Sequence, residues 1–390
     1  MSTKTSDSPV ELPASIVFTA EGIAYELIRD LGVGLHGEQM LLVRPRLQEG
    51  PGAPVVVKAL SLTADAQALQ RLEQEIRLAS MLEHPAITRV YGAHRVEGAL
   101  YTLHEYVEGR SLDELYIDAL LCGSFCSERF VLYVTAELAS ALHAAHTLTD
   151  TRGLPLGIVH RDLHPERIRL SPQGQVKLGG FGLAASHPEG RWPPAHPAVT
   201  GPVVYAAPEQ LLQRPVDARA DLFSLGLVML ELLTGHHLYR MLEDVDLRLM
   251  GLNMSGLTSN NLRLLEATIE ELGRLHEMGF AREGLEQLAR RATSFNAGDV
   301  ERLAQSVPEP TRRILHKLLR HEPEERYASA AELEQALRER LQGLEPYGAL
   351  EAAEEVFLLQ AEALGLASVV SLEEPGLPPR AQDEITTQPA

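Results

Sequence analysis

The hydrophobic periodicity of this chain changes once, near residue 110, and that change limits its architecture more than any other feature. From Tyr25 to about Val107, apolar residues come in short strand-like runs, Met40 to Val43, Val55 to Val57 and Leu100 to Leu103. One helical segment, around Leu69 to Leu82, interrupts them. Beyond Ser111 the pattern is helical, at Phe130 to His146, Leu222 to Thr234, Leu262 to His276 and Thr311 to His321. A single short strand pair, Ile168 to Leu178, turns at Ser171-Pro172-Gln173-Gly174. The expected class is α+β, with a small β-rich lobe holding one helix and a larger α-helical lobe.

Composition bounds what such a chain can do. With 35 Lys+Arg against 54 Asp+Glu, the net charge of −19 argues against nucleic acid as a partner. The run Leu222 to Leu233 is broken by Ser224 and Glu231 and falls short of the roughly 20 residues that cross a bilayer, so no membrane partner is expected. Met1 to Pro9 is polar and lacks the layout of a secretory signal, which points to the cytoplasm. Cys122 and Cys126 are too few for a disulfide framework and read as packed thiols. Residues 1–20 and the acidic 371–390 read as flexible tails, and Leu344 to Leu366 as a helix docked on the body.

Several short segments carry chemistry. Leu31-Gly32-Val33-Gly34-Leu35-His36-Gly37 lies between two strands, and its three glycines let a backbone turn approach phosphates. Val55-Val56-Val57-Lys58 ends a strand on a lysine, and Glu75 on the following helix can pair with it before His84-Pro85. Then come His160-Arg161-Asp162, Gly180-Phe181-Gly182, Ala207-Pro208-Glu209, Asp221-Leu222-Phe223-Ser224-Leu225-Gly226 and Glu325-Arg326-Tyr327. In that order, the segments resemble a bacterial Ser/Thr (eukaryotic-like, Hanks-type) protein kinase, over about residues 22–342.

The resemblance implies a division into an N-lobe at 21–107 and a C-lobe at 108–342, while helical spacing adds a long insertion at about 236–308 and a C-terminal helix at 343–370, each either extra packing or a docking surface for a partner, with the tail beyond. It implies an ATP cleft formed by Gly32, Gly34, Gly37 and Lys58, with a hinge near Glu105 to Gly109 that includes Val107, behind gatekeeper His104. Lys58, Glu75 and Asp162 are the retained catalytic residues. His160, Phe181, Glu209, Asp221 and Arg326 are the expected scaffold.

The departures from the family pattern concentrate where metal, phosphate and adenine would touch. The Asp before Phe-Gly is Gly180, and the Asn five residues after Asp162 is Arg167. Glycine has no side chain to offer a hard cation, and a guanidinium has no lone pair, so Mg²⁺ is not expected. His164 replaces the lysine that contacts the transferred phosphate, and Gln39 and Val56 replace smaller or apolar residues about the base. Strand alternation puts Arg167 and Arg169 on the cleft side. They can supply fixed charge in place of a metal, binding an acid of the protein itself or a metal-free ATP, or they can be drift in a disused cleft. The implied function is a signalling pseudokinase, a scaffold or regulator for a protein partner such as an active kinase or its substrate. The alternative is an active Ser/Thr kinase working through Lys58, Glu75 and Asp162, with Glu166 or Glu105 recruited to a metal. His143 and His146, three apart on one helix, are read as packing.

Overall fold

The structure is a computed structural model that describes residues 15–33, 38–61, 76–77, 79–123, 125–181, 203–212, 214–239, 290–292 and 294–372. Gly34, Gly37, Glu75, Leu262 to His276 and most of the helical segment at 69–82 lie outside the described residues, as do 1–14 and 373–390.

Seven strands form the N-lobe sheet: β1 (Ile16–Ala20), β2 (Ile23–Val33), β3 (Gln39–Leu47), β4 (Gly50–Pro51), β5 (Val55–Ser61), β6 (Val90–Val96) and β7 (Ala99–Glu105). Their order is β1-β2-β3-β5-β7-β6, antiparallel throughout, with β4 paired only to β3. The sheet curls because Phe18 of β1 stacks on Tyr25 at 4.4 Å and on Tyr101 of β7 at 4.1 Å between ring centroids. This corrects the expectation of a flexible tail through residue 20. Phe18 is only 5% exposed, and its burial fixes Ile16–Ala20 as a strand although the flanking sequence is polar.

Strand alternation gives β7 two faces. Leu103 joins Leu41, Val43, Val55 and Val57 in the small N-lobe core, whereas Leu100 points the other way, into the core that fills the C-lobe.

The C-lobe begins with β8 (Arg110–Ser111), which pairs with β9 (Ile168–Leu170), itself paired to β10 (Val176–Leu178). Helix α1 (Leu112–Leu121) starts at a capping box: Ser111 Oγ accepts from the Glu114 N–H at 3.2 Å, and the Glu114 carboxylate accepts from the Ser111 N–H at 2.7 Å. Helix α2 (Glu128–His146) is capped by Ser127, whose Oγ accepts from Phe130 N–H at 3.1 Å. Helix α3 (Arg219–Thr234) is apolar on nearly every side, as befits a helix enclosed by the lobe. In the same core α4 (Ala297–Leu303) packs on α5 (Glu309–Leu318), α5 packs on α3, and α6 (Ala330–Gln342) packs on α5 and on α2.

The last helix, α7 (Ala349–Leu372), lies against α1. It starts later than the sequence pattern indicates because Gly343 ends α6 and Pro346 follows. The Glu351 carboxylate then accepts from Gly348 N–H at 2.8 Å at the new helix start. Among the described residues no helix is long and apolar enough to cross a membrane.

Candidate active site

Register places the N-lobe side of the cleft. Lys58 pairs with Met40 on one side and Thr102 on the other, and Val56 pairs with Leu42 and His104, so these residues share one face. His104 takes a 2.8 Å hydrogen bond with Thr102 Oγ1 across one turn of the pleat. Burial, helped by the Lys58 charge, pushes its imidazole down to about 3, so the ring is neutral. Gln39 sits one residue out of phase with this face. It donates to Asp30 at 3.3 Å instead of crowding a base, because its partner across the sheet is Ala59. The Lys58 ammonium is pushed below its usual range by burial and by Arg167, while Glu38 and Asp162 oppose that push. Glu38 is 7% exposed, a buried acid that sequence patterning gave no reason to single out.

The catalytic loop is held from behind. Asp221 accepts from His160 N–H and Arg161 N–H, each at 2.8 Å, and from the His146 ring at 2.8 Å. Burial alone would raise its carboxyl. The His146 hydrogen bond and charge, the His160 charge and the Arg161 amide more than offset it and leave the pKa lowered. Arg161 adopts φ 66°, a left-handed conformation costly for arginine. Its carbonyl accepts from Gln210 Nε2 at 3.2 Å, so the strained peptide is fixed on both sides. His160 meets Phe181 edge-on, 4.5 Å between centroids, and its Nε2 lies 2.9 Å from the Gly179 carbonyl. His146, read from sequence as packing alone, is therefore a positioning residue for this loop, as is Gln210.

Asp162 is sealed in, with its side chain fully buried. Its Oδ2 accepts from Arg167 Nε at 2.9 Å and from Nη2 at 2.5 Å, and its Oδ1 faces His164 Nε2 at 3.6 Å. The room for that guanidinium comes from Gly180. A Cβ there would stand 2.8 Å from Arg167 Cδ and 3.0 Å from its Nε, and the backbone is at φ 94°, where a side chain is strained. Arg167 is further fixed by its carbonyl, which accepts from Gly179 N–H at 2.7 Å. Arg169 turns toward the hinge instead, donating to the Gly109 carbonyl at 2.5 Å. Gly109 itself is at φ 120°, and any Cβ there would run into the Leu170 carbonyl.

These donors do not suit Mg²⁺. The two positions that would supply oxygens hold glycine and a cation, and among the described residues no three His, Cys, Asp or Glu side chains gather to hold a metal ion. Glu105 is not available for that purpose. Its carboxylate accepts from Lys177 Nζ at 2.8 Å and from Arg89 N–H at 2.9 Å. Farther down, Arg326 clasps Glu209 with both terminal nitrogens, at 2.7 and 2.8 Å, and the pair is buried. Arg326 also donates to the carbonyls of Arg219, Arg320 and His321 and stacks on Phe223, 4.7 Å from the ring centroid.

Residues 25–339 match the protein kinase domain family. The chain belongs to that family. Its Hanks-type bacterial relatives include the tyrosine-protein kinase MasK of Myxococcus xanthus, 33% identical over 60% of this chain and 36% of its own length. Another is the serine/threonine-protein kinase PknB of Mycolicibacterium smegmatis, 35% identical over 54% of this chain and 32% of its own length. The chain thus spans about a third of the length of the curated relatives it matches. The kinase domain of Mycobacterium tuberculosis PknI superposes with a TM-score of 0.51 over 81% of this chain and 95% of that one, at 23% identity, and shares the fold.

Within the kinase fold, the structure brings Lys58, Asp162, Arg167 and Gly180 to one end of the cleft. His104, Glu105 and Val107 lie along β7 and the hinge, and Gly32 lies at the end of β2. Arg169 stands under the hinge, while Glu209, Asp221 and Arg326 lie in the C-lobe behind the catalytic loop.

Proposed function

We propose that this kinase-family chain is a signalling pseudokinase, a scaffold or allosteric regulator of a protein partner in the cytoplasm with little or no Mg²⁺-dependent phosphotransfer. One observation carries this reading: Arg167 spends two hydrogen-bond donors on Asp162 Oδ2, within space that Gly180 leaves open. A general base must accept the proton of the incoming hydroxyl. An Asp162 held by a half-buried guanidinium has its Oδ2 already committed. A second positive charge at that place also competes with any divalent ion for the same carboxylate. The Arg–Asp pair is internal charge compensation for an acid that the fold retains.

The retained hinge, catalytic-loop supports and Glu209–Arg326 pair keep the two lobes in kinase shape, which is what a binding partner of a kinase fold would recognise. The test is phosphate transfer from radiolabelled ATP by the purified chain, with and without Mg²⁺, to itself and to a generic protein substrate. The expected result is no incorporation above an Asp162→Asn control. Incorporation that needs Mg²⁺ and vanishes in Asp162→Asn would establish the alternative, an active kinase using Lys58, Glu75 and Asp162. Thermal melting adds a second readout: stabilisation by ATP without Mg²⁺ assigns Lys58 and the cleft arginines to a metal-free nucleotide, and none in either condition leaves the cleft to the internal pair.

A further inference from the structure

Helix α7 is apolar on the face that leaves the body as well as on the face that meets it. Leu350, Phe357, Ala361 and Leu364, spaced seven, four and three apart, form one stripe along the helix. The three large residues are 79%, 68% and 69% exposed, and Leu358 beside them is 59% exposed. The opposite side is fixed in place. Ala352 and Ala363 are buried, and Glu355 accepts from Ser127 N–H at 2.8 Å, from Ser127 Oγ at 2.7 Å and from the Tyr347 hydroxyl at 2.7 Å. The stripe is therefore presented by a helix already anchored to α1 and α2, and rotation of the helix cannot bury it.

Charge says what covers it. From Ala349 to Leu372 there is no Lys, Arg or His, and Glu351, Glu354 and Glu362 lie on the exposed side next to the stripe. We infer that the stripe seats a basic amphipathic helix of another protein, with apolar residues on Phe357 and Leu364 and lysines or arginines on the flanking glutamates. A second copy of the chain is disfavoured, because it would bring the same glutamates together between two molecules that each carry −19. The chain's own remaining segments are also poorly matched. Residues 240–289 hold five arginines against nine acids, and 373–390 hold Arg380 against Glu373, Glu374, Asp383 and Glu384. This inference goes beyond the pseudokinase reading and holds whether or not the cleft transfers phosphate.

The experiment uses the full chain and a fluorescein-labelled synthetic helical peptide of leucine and lysine, with a leucine–glutamate peptide of the same pattern as control, followed by fluorescence anisotropy. The leucine–lysine peptide should bind and the control should not. Phe357→Ser with Leu364→Ser should weaken binding about tenfold or more while every charge is kept. Glu354→Gln with Glu362→Gln should weaken it and flatten its salt dependence. Circular dichroism verifies that the variants fold, since all four side chains are exposed. Three results overturn the inference: no binding of the leucine–lysine peptide, equal binding to the serine variant, or sedimentation of the chain as a dimer that the serine variant dissociates.

Discussion

At the residue scale, Gly180 and Arg167 behave as one substitution made at two places. Reintroducing the family's acid as Gly180→Asp pushes a Cβ against Arg167 Cδ at 2.8 Å and forces a side chain onto φ 94°, so we expect a loss of about 1–3 kcal/mol in thermal or urea unfolding. Part of that loss is steric and belongs to Arg167. Arg167→Asn has its own cost, since it leaves buried Asp162 without its guanidinium, so the test is the full cycle: Gly180→Asp with Arg167→Asn should lose less than the sum of the two single variants, and additive losses would show that the two positions are not coupled. His104 supplies a second prediction at this scale. Its pKa is lowered from 6.5 to about 3 when folded, so between those values the unfolded chain binds a proton that the folded chain refuses. Stability then falls as pH drops through that window, by up to about 1.4 kcal/mol per pH unit from this group. His104→Gln should flatten urea-derived stability between pH 6 and 4 by about one proton, and an unchanged slope would mean that the ring is not neutral in the cleft.

At the scale of elements, the C-lobe is joined by a buried ion pair rather than by backbone contact alone. Removing one member leaves a charge with no partner in an apolar interior, and Arg326→Ala or Glu209→Ala should each cost about 3–5 kcal/mol. The double variant should cost less than the sum of the two, as a double-mutant cycle in urea would show. This pair was legible in sequence because Ala207-Pro208-Glu209 and Glu325-Arg326-Tyr327 are motif-borne. The same holds for the strands about Val55 to Val57 and for the helices ending at His146 and Thr234, whose periodicity is set by burial on one or all sides. Strand β1 was not legible, because Phe18 is fixed by Tyr25 and Tyr101, seven and 83 positions away, and no local pattern carries that. The phase of Gln39 was hidden for a similar reason: pairing to β5, not position after Gly37, decides which face it takes. In the cleft, the loss of the metal ligands could be read directly, whereas the Arg167–Asp162 bond and the burial of Glu38 depend on side-chain directions that spacing does not determine.

At the scale of the molecule, the two cores are unequal and distinct. Phe18, Tyr25, Leu41, Val43, Val55, Val57 and Leu103 form the N-lobe cluster, while Ile76, Leu82, Ile87, Val90 and Leu100 belong to the same cluster as α2 and α3. The boundary between cooperative units should accordingly run through the N-lobe sheet, along β7, and not through the hinge. Strands β1 to β3 can open while the loop around Ile87, bridged to Leu178, stays with the C-lobe. Hydrogen exchange followed by mass spectrometry should therefore find amides of β1 to β3 exchanging through a partial opening, well before those of α2 and α3. Phe18→Ala removes the ring that closes the sheet and should speed exchange in β1 to β3, by an amount set by a loss of about 3–5 kcal/mol, with α2 and α3 unchanged. Acceleration of all these elements together would make the molecule a single cooperative unit. In that case ligand or partner binding at either lobe would be felt equally by both, and the separate supports of the catalytic loop, from Asp221 to Gln210, would not act as an independent frame.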